Sequence, residues 1–519
     1  MPYIPARTAP TICTALTLCV FAALQPLAFA QAPSAAPSHA SATPIANSGR
    51  SPQSGTVTAI EAPIAGTTDS VTTINPSVSI SGPFSGSAPG GNPPFAGSLS
   101  LRDAIQRGLN YNLGALGQNN SVLQAVGQSQ IARSALLPNV SGYLAETIQQ
   151  VNLAAEGVRI HVPIAGFNFP TVIGPINNID LRGSVSQSIF DATAWNNYRS
   201  SRESLRAAQL NARDARDAVV LAVCGTYLQV LATEQRVAVA HAQLTTATVL
   251  FNQTQQKRLA GLVAQIDLDR SDVERMTQQQ RVTSLETSLA KQKISLARLV
   301  GLPPNNNYTL SDSVPFAAAP SLSLDDAIHQ ALQRRADLQA AQAQVRAAER
   351  TLAAARDERI PSLSVSGNYG ALGTNPAQAK ATYSAAATLS IPLWNGGRTE
   401  GEIHQAEAAV RQRQAELDDQ RAQVEADVRN AWLDLQASAS QITVAERNLQ
   451  VSKETLDLTR QRFDAGVADN VEVVQAQETV TSAELDRINS LFAHNLAKLS
   501  LARAVEGAAT TLQQFLDLK

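Results

Sequence analysis

Apolar residues recur along the second half of the chain at intervals of seven. Val428, Leu435, Ile442, Leu449, Leu456 and Phe463 form one series, and Ala431, Ser438, Ala445, Ser452 and Thr459 hold the positions three residues on. The first half repeats this with Val223, Val230, Val237, Leu244 and Phe251 against Thr226, Thr233, Ala240, Ala247 and Thr254. A sustained seven-residue repeat demands coiled-coil-like packing, and alternating large and small layers let helix backbones approach closely. A solvent-exposed bundle would show the same sevens. Between the helical stretches the period changes to two. Tyr383, Ala385, Ala387, Leu389, Ile391 and Leu393 alternate with Thr382, Ser384, Thr388 and Ser390, as in a strand with an apolar phase on one face and water on the other.

These periods predict strands at 139–153, 179–190, 362–372 and 382–394. They predict helices at 101–136 and 324–359, the first ending before Pro138 because the residue ahead of proline is pushed out of the helical region. Long helices at 192–257 and 398–462 would each span roughly 100 Å, and shorter ones about 50 Å. Two short helices end to end, 101–136 with 266–300, would match one long helix. That predicts a cylinder wall of continuous and broken struts.

The order of elements occurs twice. Ser98-Leu99-Ser100-Leu101-Arg102-Asp103-Ala104-Ile105 returns as Ser321-Leu322-Ser323-Leu324-Asp325-Asp326-Ala327-Ile328, and Leu137-Pro138 returns as Ile360-Pro361, at an offset of 223. Lys257-Arg258-Leu259-Ala260-Gly261 matches Arg462-Phe463-Asp464-Ala465-Gly466 at an offset of 205, so the first half carries a longer loop between its strands. The chain reads as a tandem duplication: repeats at 98–301 and 321–507, a linker at 302–320 and a C-terminal tail at 508–519.

Strands of this length can cross an outer membrane in a tilted barrel. Four cannot close one, and an open sheet edge is not tolerated in lipid. Oligomerisation must therefore complete the barrel. Two chains would supply eight strands and three would supply twelve, with a wider lumen.

Composition narrows the partners. Acidic and basic residues nearly cancel, at 43 and 41, which leaves no basic field for nucleic acid. Aromatics are only 4% of the chain, so helix packing has to replace the aromatic core of an ordinary large enzyme. Residues 1–30 read as a secretory signal: Arg7, an apolar run too short to span a membrane, then Ala28-Phe29-Ala30 as a cleavage site. Cys19 follows the bulky Leu18, which disfavours lipidation, and Cys224 is the one cysteine after the signal. Residues 31–97, mostly Ala, Ser, Pro, Gly and Thr, are expected to be a disordered tether.

The duplication, the strand pairs and two motifs together resemble the TolC family of outer-membrane efflux proteins over residues 98–507. One motif is Arg462-Phe463-Asp464-Ala465-Gly466 leading into Val471-Glu472-Val473-Val474-Gln475-Ala476-Gln477; the other is Ile391-Pro392-Leu393-Trp394-Asn395-Gly396-Gly397. The resemblance implies a homotrimer with a twelve-stranded barrel in outer membrane lipid and a helical tunnel in the periplasm. It also implies docking on a periplasmic membrane-fusion adaptor, linked to an inner-membrane pump of the RND, ABC or MFS type. Such a channel does no chemistry and needs no cofactor.

Gly261 and Gly466 each end a long helix, where a left-handed cap favours glycine. Apolar tips of this kind suggest a docking surface. In the family these turns meet the adaptor, which implies contacts at Gly261, Leu262, Val263, Gly466 and Val467 with Lys257 and Arg462 at the rim; packing of the two tips on each other is the alternative. The family also narrows its periplasmic end with polar networks and acidic rings. Asp267 and Glu472 match such positions, and Asp469 is a further candidate on the second tip, although helix-surface solvation would account for all three. Gln475, Ala468 and Phe463 depart from the best-known gate, so its chemistry is only partly kept.

Phe190 and Trp394 fall at equivalent strand ends, and with Gly396 and Gly397 they mark a junction between barrel and tunnel. They could form an aromatic girdle or pack the junction. The apolar loop at 154–175 is expected to fold over the barrel mouth. The six histidines show no metal spacing, Met276 offers no thioether path by itself, and Cys224 has the neighbours of a core residue. No constellation supports an enzyme. A trimeric coiled-coil stalk or adhesin would share the heptads and the aromatic poverty, but not the strands or the glycine tips.

Overall fold

The computed structural model describes residues 56–63, 74–88, 97–155, 157, 170–304, 307–312, 322–468 and 470–505. The expected signal, the tether up to 55 and the C-terminal tail lie outside these residues, as does most of the loop expected over the barrel mouth. The described chain divides into two units, one containing the strand segments Leu144–Leu181 and Ala371–Ala381, the other the helices and the remaining strand segments.

Four long strands form one sheet: β4 (Asn139–Asn152), β5 (Val172–Phe190), β7 (Ser362–Gly373) and β8 (Lys380–Ser390), in the order β4-β5-β7-β8. Polar side chains bridge neighbours, with Ser141 and Ser184 hydroxyls 2.7 Å apart and Asn368 donating to Ser384 at 2.7 Å. β4 and β8 are the two edges. β8 is exposed along its whole length, so the alternation in its sequence finds no burial partner within one chain.

The helical unit opens with α1 (Leu101–Tyr111) and α2 (Leu113–Ser134), followed after the first strand pair by α3 (Ala192–Leu259) and α4 (Gln265–Leu299). The second repeat gives α5 (Leu324–Arg334), α6 (Ala336–Asp357), α7 (Arg398–Asp464) and α8 (Asn470–Val505). Both repeats start on the same cap: Ser100 accepts from the Asp103 N–H and Ser323 from the Asp326 N–H, each at 3.1 Å, and each hydroxyl donates back to that aspartate. Such a cap satisfies helix N–H groups that otherwise lack partners.

Two single helices were expected where two broken ones occur. The breaks fall at Asn112 and Arg335, both in extended backbone and separated by the same 223 residues as the repeated motifs. Each is held by one partner two residues on and by another distant in sequence. Asn112, fully buried, accepts from the Gly114 N–H at 2.8 Å and donates to the Phe84 carbonyl at 2.8 Å. Arg335 donates to Asp337 at 2.6 Å and to Asp427 on α7 at 2.9 Å.

The small heptad layers are buried as read, while the large layers are buried in part, with Val237, Leu244, Phe251, Leu449 and Phe463 half-buried. Val428, Leu435, Ile442 and Leu456 on α7 are buried together with Ala431, Ser438, Ala445, Ser452 and Thr459. On α3 the small layer of Thr226, Thr233, Ala240, Ala247 and Thr254 is wholly buried. An 18-residue stretch of α3 is apolar enough for lipid yet 83% buried by protein, and residues 217–228 are buried throughout, which makes it a core helix. Cys224 lies there, a buried thiol whose ionisation burial suppresses.

The tether expectation needs correcting. Within 31–97 the chain forms β1 (Val57–Pro63) and β2 (Ile74–Ile80), an antiparallel pair, then a one-turn helix at Gly82–Ser85. Val57 and Phe84 are buried in the core around α3, with Ala59, Val78 and Ile80 packed against it. A short alternating pattern that meets an apolar helix can be ordered even when the composition around it is polar and flexible. The linker at 302–320 is also partly structured. Its β6 (Tyr308–Leu310) pairs in parallel with β3 (Gly97–Leu99), and the Tyr227 hydroxyl reaches Leu99 O and Asp312 at 2.9 and 2.8 Å.

Candidate functional site at the helical tips

The turn between α3 and α4 is built by backbone hydrogen bonds. Gly261 has φ 74°, its N–H donates to Arg258 O at 3.0 Å, and the Leu262 N–H donates to Lys257 O at 2.9 Å. The turn after α7 repeats this with Gly466 at φ 73°, Gly466 N–H to Phe463 O at 3.1 Å and Val467 N–H to Arg462 O at 2.9 Å. This paired closure satisfies the last carbonyls of a helix and needs a left-handed residue that glycine supplies without strain. The residue after each glycine usually folds back on its own helix. Here Leu262 and Val467 stand 74% and 70% exposed, and Leu259 is equally open.

The polar residues at the tips are engaged within the chain. Asp267 accepts from the Ala264 N–H at 3.3 Å, capping α4, and lies 3.9 Å from Arg270. Glu472, in the first turn of α8, receives Arg462 at 3.1 Å. Lys257 Nζ sits 4.0 Å from the centre of the Phe463 ring, so the end of α3 touches the end of α7. Both Lys257 and Arg462 were expected at a docking rim, and here each faces a partner of the second hairpin. Val263 is half-buried between the two caps, and Asp469 lies outside the described residues.

Sequence reasoning missed the contact between Lys257 and Phe463. The signal was present, because Phe463 closes the heptad series of α7, and Lys257 directly precedes Arg258, which is the counterpart of Phe463 in the duplicated motif. It also missed the polar rungs between α3 and α8. Gln477 donates to Gln243 at 3.2 Å, and Arg236 donates to Asn489. Desolvation lowers the Arg236 pKa from its ordinary value. Among the described residues, no group of three or more His, Cys, Asp or Glu gathers to hold a metal ion.

Where strands become helices the two repeats differ. Phe190 ends β5 and Asp191 caps α3 by accepting from the Ala194 N–H at 2.8 Å. After β8, residues 391–397 run without regular structure to Gly396 and Gly397, whose φ values of 69° and 86° turn the chain into α7. Trp394 was expected at a strand end equivalent to Phe190. It lies beyond the end of β8 instead and is 89% exposed.

Long helical hairpins and paired strands, each occurring twice along the chain, are elements that comparison with known proteins assigns to one family. The family model described as outer membrane efflux protein matches residues 118–302 and 327–507. The chain belongs to that family. It is 23% identical to the outer membrane protein TolC of Vibrio cholerae over 76% of this chain and 86% of that one. It is 24% identical to the pyoverdine export outer membrane protein OpmQ of Pseudomonas aeruginosa, over 82% and 88%. The Campylobacter jejuni CmeC outer membrane channel has the same fold, with a TM-score of 0.68 at 15% identity over 80% of this chain and 89% of that one. The protein is thus an outer membrane efflux protein.

Proposed function

We propose that three copies of the chain form a passive exit duct, with twelve strands closed into a barrel in outer membrane lipid and the helices forming a periplasmic tunnel. The observation that carries this reading is the four-stranded sheet with two free edges, β4 and β8. A sheet whose edge N–H and C=O groups lack partners cannot stay in hydrocarbon, and pairing β8 of one copy with β4 of the next removes every edge. Three copies give a lumen wider than side chains alone would fill, which suits an export path.

The tips then serve as the docking end for a periplasmic adaptor that connects the duct to an inner-membrane pump. Leu259, Leu262 and Val467 supply exposed apolar surface of the kind that marks an interaction site. Asp267 and Glu472 contribute to the periplasmic constriction, where Lys257 on Phe463 joins the two hairpins of a chain at rest and Arg462 on Glu472 ties the two helices of the second hairpin. Energy and substrate choice belong to the pump, and the duct needs neither cofactor nor catalytic group.

Single-channel recording of the purified protein in a planar bilayer tests this. The expected result is a small resting conductance that rises in a Lys257→Ala/Glu472→Gln variant. Absence of any conducting state, in the native chain and also after neutralising Asp267 and Glu472, would sink the duct.

A further inference from the structure

The N-terminal stretches 56–63 and 74–88 do more than lead into the first repeat. β1 and β2 lie against α3 of the first repeat and α8 of the second, and the one-turn helix at Gly82–Ser85 touches α2, α3 and α4. Polar bonds fasten them at both ends. Arg503, near the end of α8, donates to Val57 O at 2.9 Å and lies 3.9 Å from Asp214 on α3. Asn112 holds Phe84 O, the Leu113 N–H donates to Gly86 O at 2.9 Å, and Ser87 donates to Arg298 O at 2.5 Å.

Two helix glycines record the same docking. A β-carbon on Gly225, in the middle of α3, would fall 2.3 Å from a methyl of Val78. One on Gly114, in the first turn of α2, would fall 2.3 Å from the Phe84 ring. Glycine weakens a helix relative to alanine, so its presence at both places answers to the segment lying on top. These N-terminal stretches add to an apolar cluster that Ile488, Phe492, Leu496 and Leu499 of α8 share with α3, and toward the tips the contact between α3 and α8 turns to the polar rungs Arg236–Asn489 and Gln243–Gln477. Hydrogen bonds between exchangeable amide and guanidinium groups can be traded for water at little net cost. The apolar contact of β1 and β2 with both helices cannot.

We propose that the stretches 56–63 and 74–88 form a clasp across the seam between α3 and α8 that restrains the hairpin α3–α4 against the hairpin α7–α8. Its key is the steric fit of Val78 on Gly225 and of Phe84 on Gly114. Undocking the clasp frees the seam while leaving the helices themselves intact.

The test uses the full-length protein in detergent and needs no assumption about conduction. Hydrogen exchange of the peptides covering 57–63 and 74–80 reads the clasp. The seam is read by the distance distribution between spin labels at Gln253→Cys on α3 and Glu478→Cys on α8, one labelled copy being diluted among unlabelled ones. Gly225→Ala is expected to speed exchange in those peptides at least tenfold and to broaden the distance distribution. Adding Val78→Ala should restore both, and Gly114→Ala with Phe84→Ala should behave alike. Unchanged exchange in Gly225→Ala overturns the docking, as does a loss that Val78→Ala fails to rescue. Faster exchange with an unchanged distance distribution overturns the restraint.

Discussion

Asp337 shows how one residue can hold a break that the sequence disguises. Its carboxylate accepts from Arg335 at 3.1 and 2.6 Å, from the Leu338 N–H at 2.8 Å and from Gln420 on α7 at 2.8 Å. Burial opposes its charge most strongly, but the Arg335 bonds and the Leu338 N–H outweigh that, and the pKa falls below the ordinary 3.8. A carboxylate with a depressed pKa stabilises the fold fully above the unfolded value and loses that contribution as pH drops through the folded one. Replacing Asp337 by Asn leaves Arg335, itself mostly buried, short of a charged partner. We expect Asp337→Asn to cost about 1–3 kcal/mol at neutral pH. In thermal unfolding followed by circular dichroism, the difference in Tm between the native protein and this variant should shrink once the pH is taken below 3.8. A gap independent of pH would show that shape, not charge, is what Asp337 supplies. At the equivalent break Asn112 does the same job with a neutral amide and the N-terminal segment as its partner. The duplicated halves have therefore kept the break and exchanged its chemistry.

At the scale of elements, the helices depend on keeping their small layer small. Ala445 has no exposed surface, and Ser438 and Ala431 repeat it along α7. Adding side-chain volume to a close-packed seam forces neighbours off their rotamers at a cost of about 1–3 kcal/mol. Ala445→Leu should therefore lower the Tm clearly, whereas Ser440→Ala on the exposed face should change stability by no more than about 0.5 kcal/mol; equal effects would contradict the packing. These layers were legible in the sequence because a seven-residue period kept over most of a 67-residue helix arises from little besides helix-on-helix packing. The glycine tips were legible for a similar reason, since a left-handed cap has one preferred residue. The breaks at Asn112 and Arg335 were not, because the local bonds there, Asn112 capping Gly114 N–H and Arg335 on Asp337, look like ordinary helix-surface pairs until Phe84 and Asp427 arrive from far away in sequence. The hairpin of β1 and β2 was hidden by its neighbours. Val57 and Ala59, then Val78 and Ile80, do alternate, but over too few residues to stand out from the Ser, Thr and Pro around them. The contact between Lys257 and Phe463 joins two turns some two hundred residues apart; the duplicated motif aligns these turns, but their meeting is set by the fold.

In the whole molecule, the helices that pack on each other within one chain leave two apolar faces without cover. Val444, Val451 and Leu458 follow one another at intervals of seven on α7, all exposed, with Leu433 above them. Ile266, Val273 and Ile294 do so on α4, again exposed and at multiples of seven, with Met276 beside them. Within the chain α7 packs on α5, α6 and α8, while α4 packs mainly on α3, so the two stripes are not each other's partners. Stripes with the same period can interlock between copies. A contact of α7 with α4 of the next copy is heterologous, and rotation about one axis closes it into a ring. The sheet makes the same demand through its two different edges, β8 and β4. A charge placed in such an interface should therefore block assembly while sparing the fold of the chain, because Leu458 and Val273 touch mainly solvent in one copy. Leu458→Glu and Val273→Glu should each shift the detergent-solubilised protein from the proposed trimer to smaller species in light scattering, with helical circular dichroism retained. Charges of the same sign on both stripes cannot repair the contact, whereas Leu458→Glu with Val273→Lys can restore part of it where the two positions meet. Trimers that persist in both single variants would place the contact between copies elsewhere on the helices.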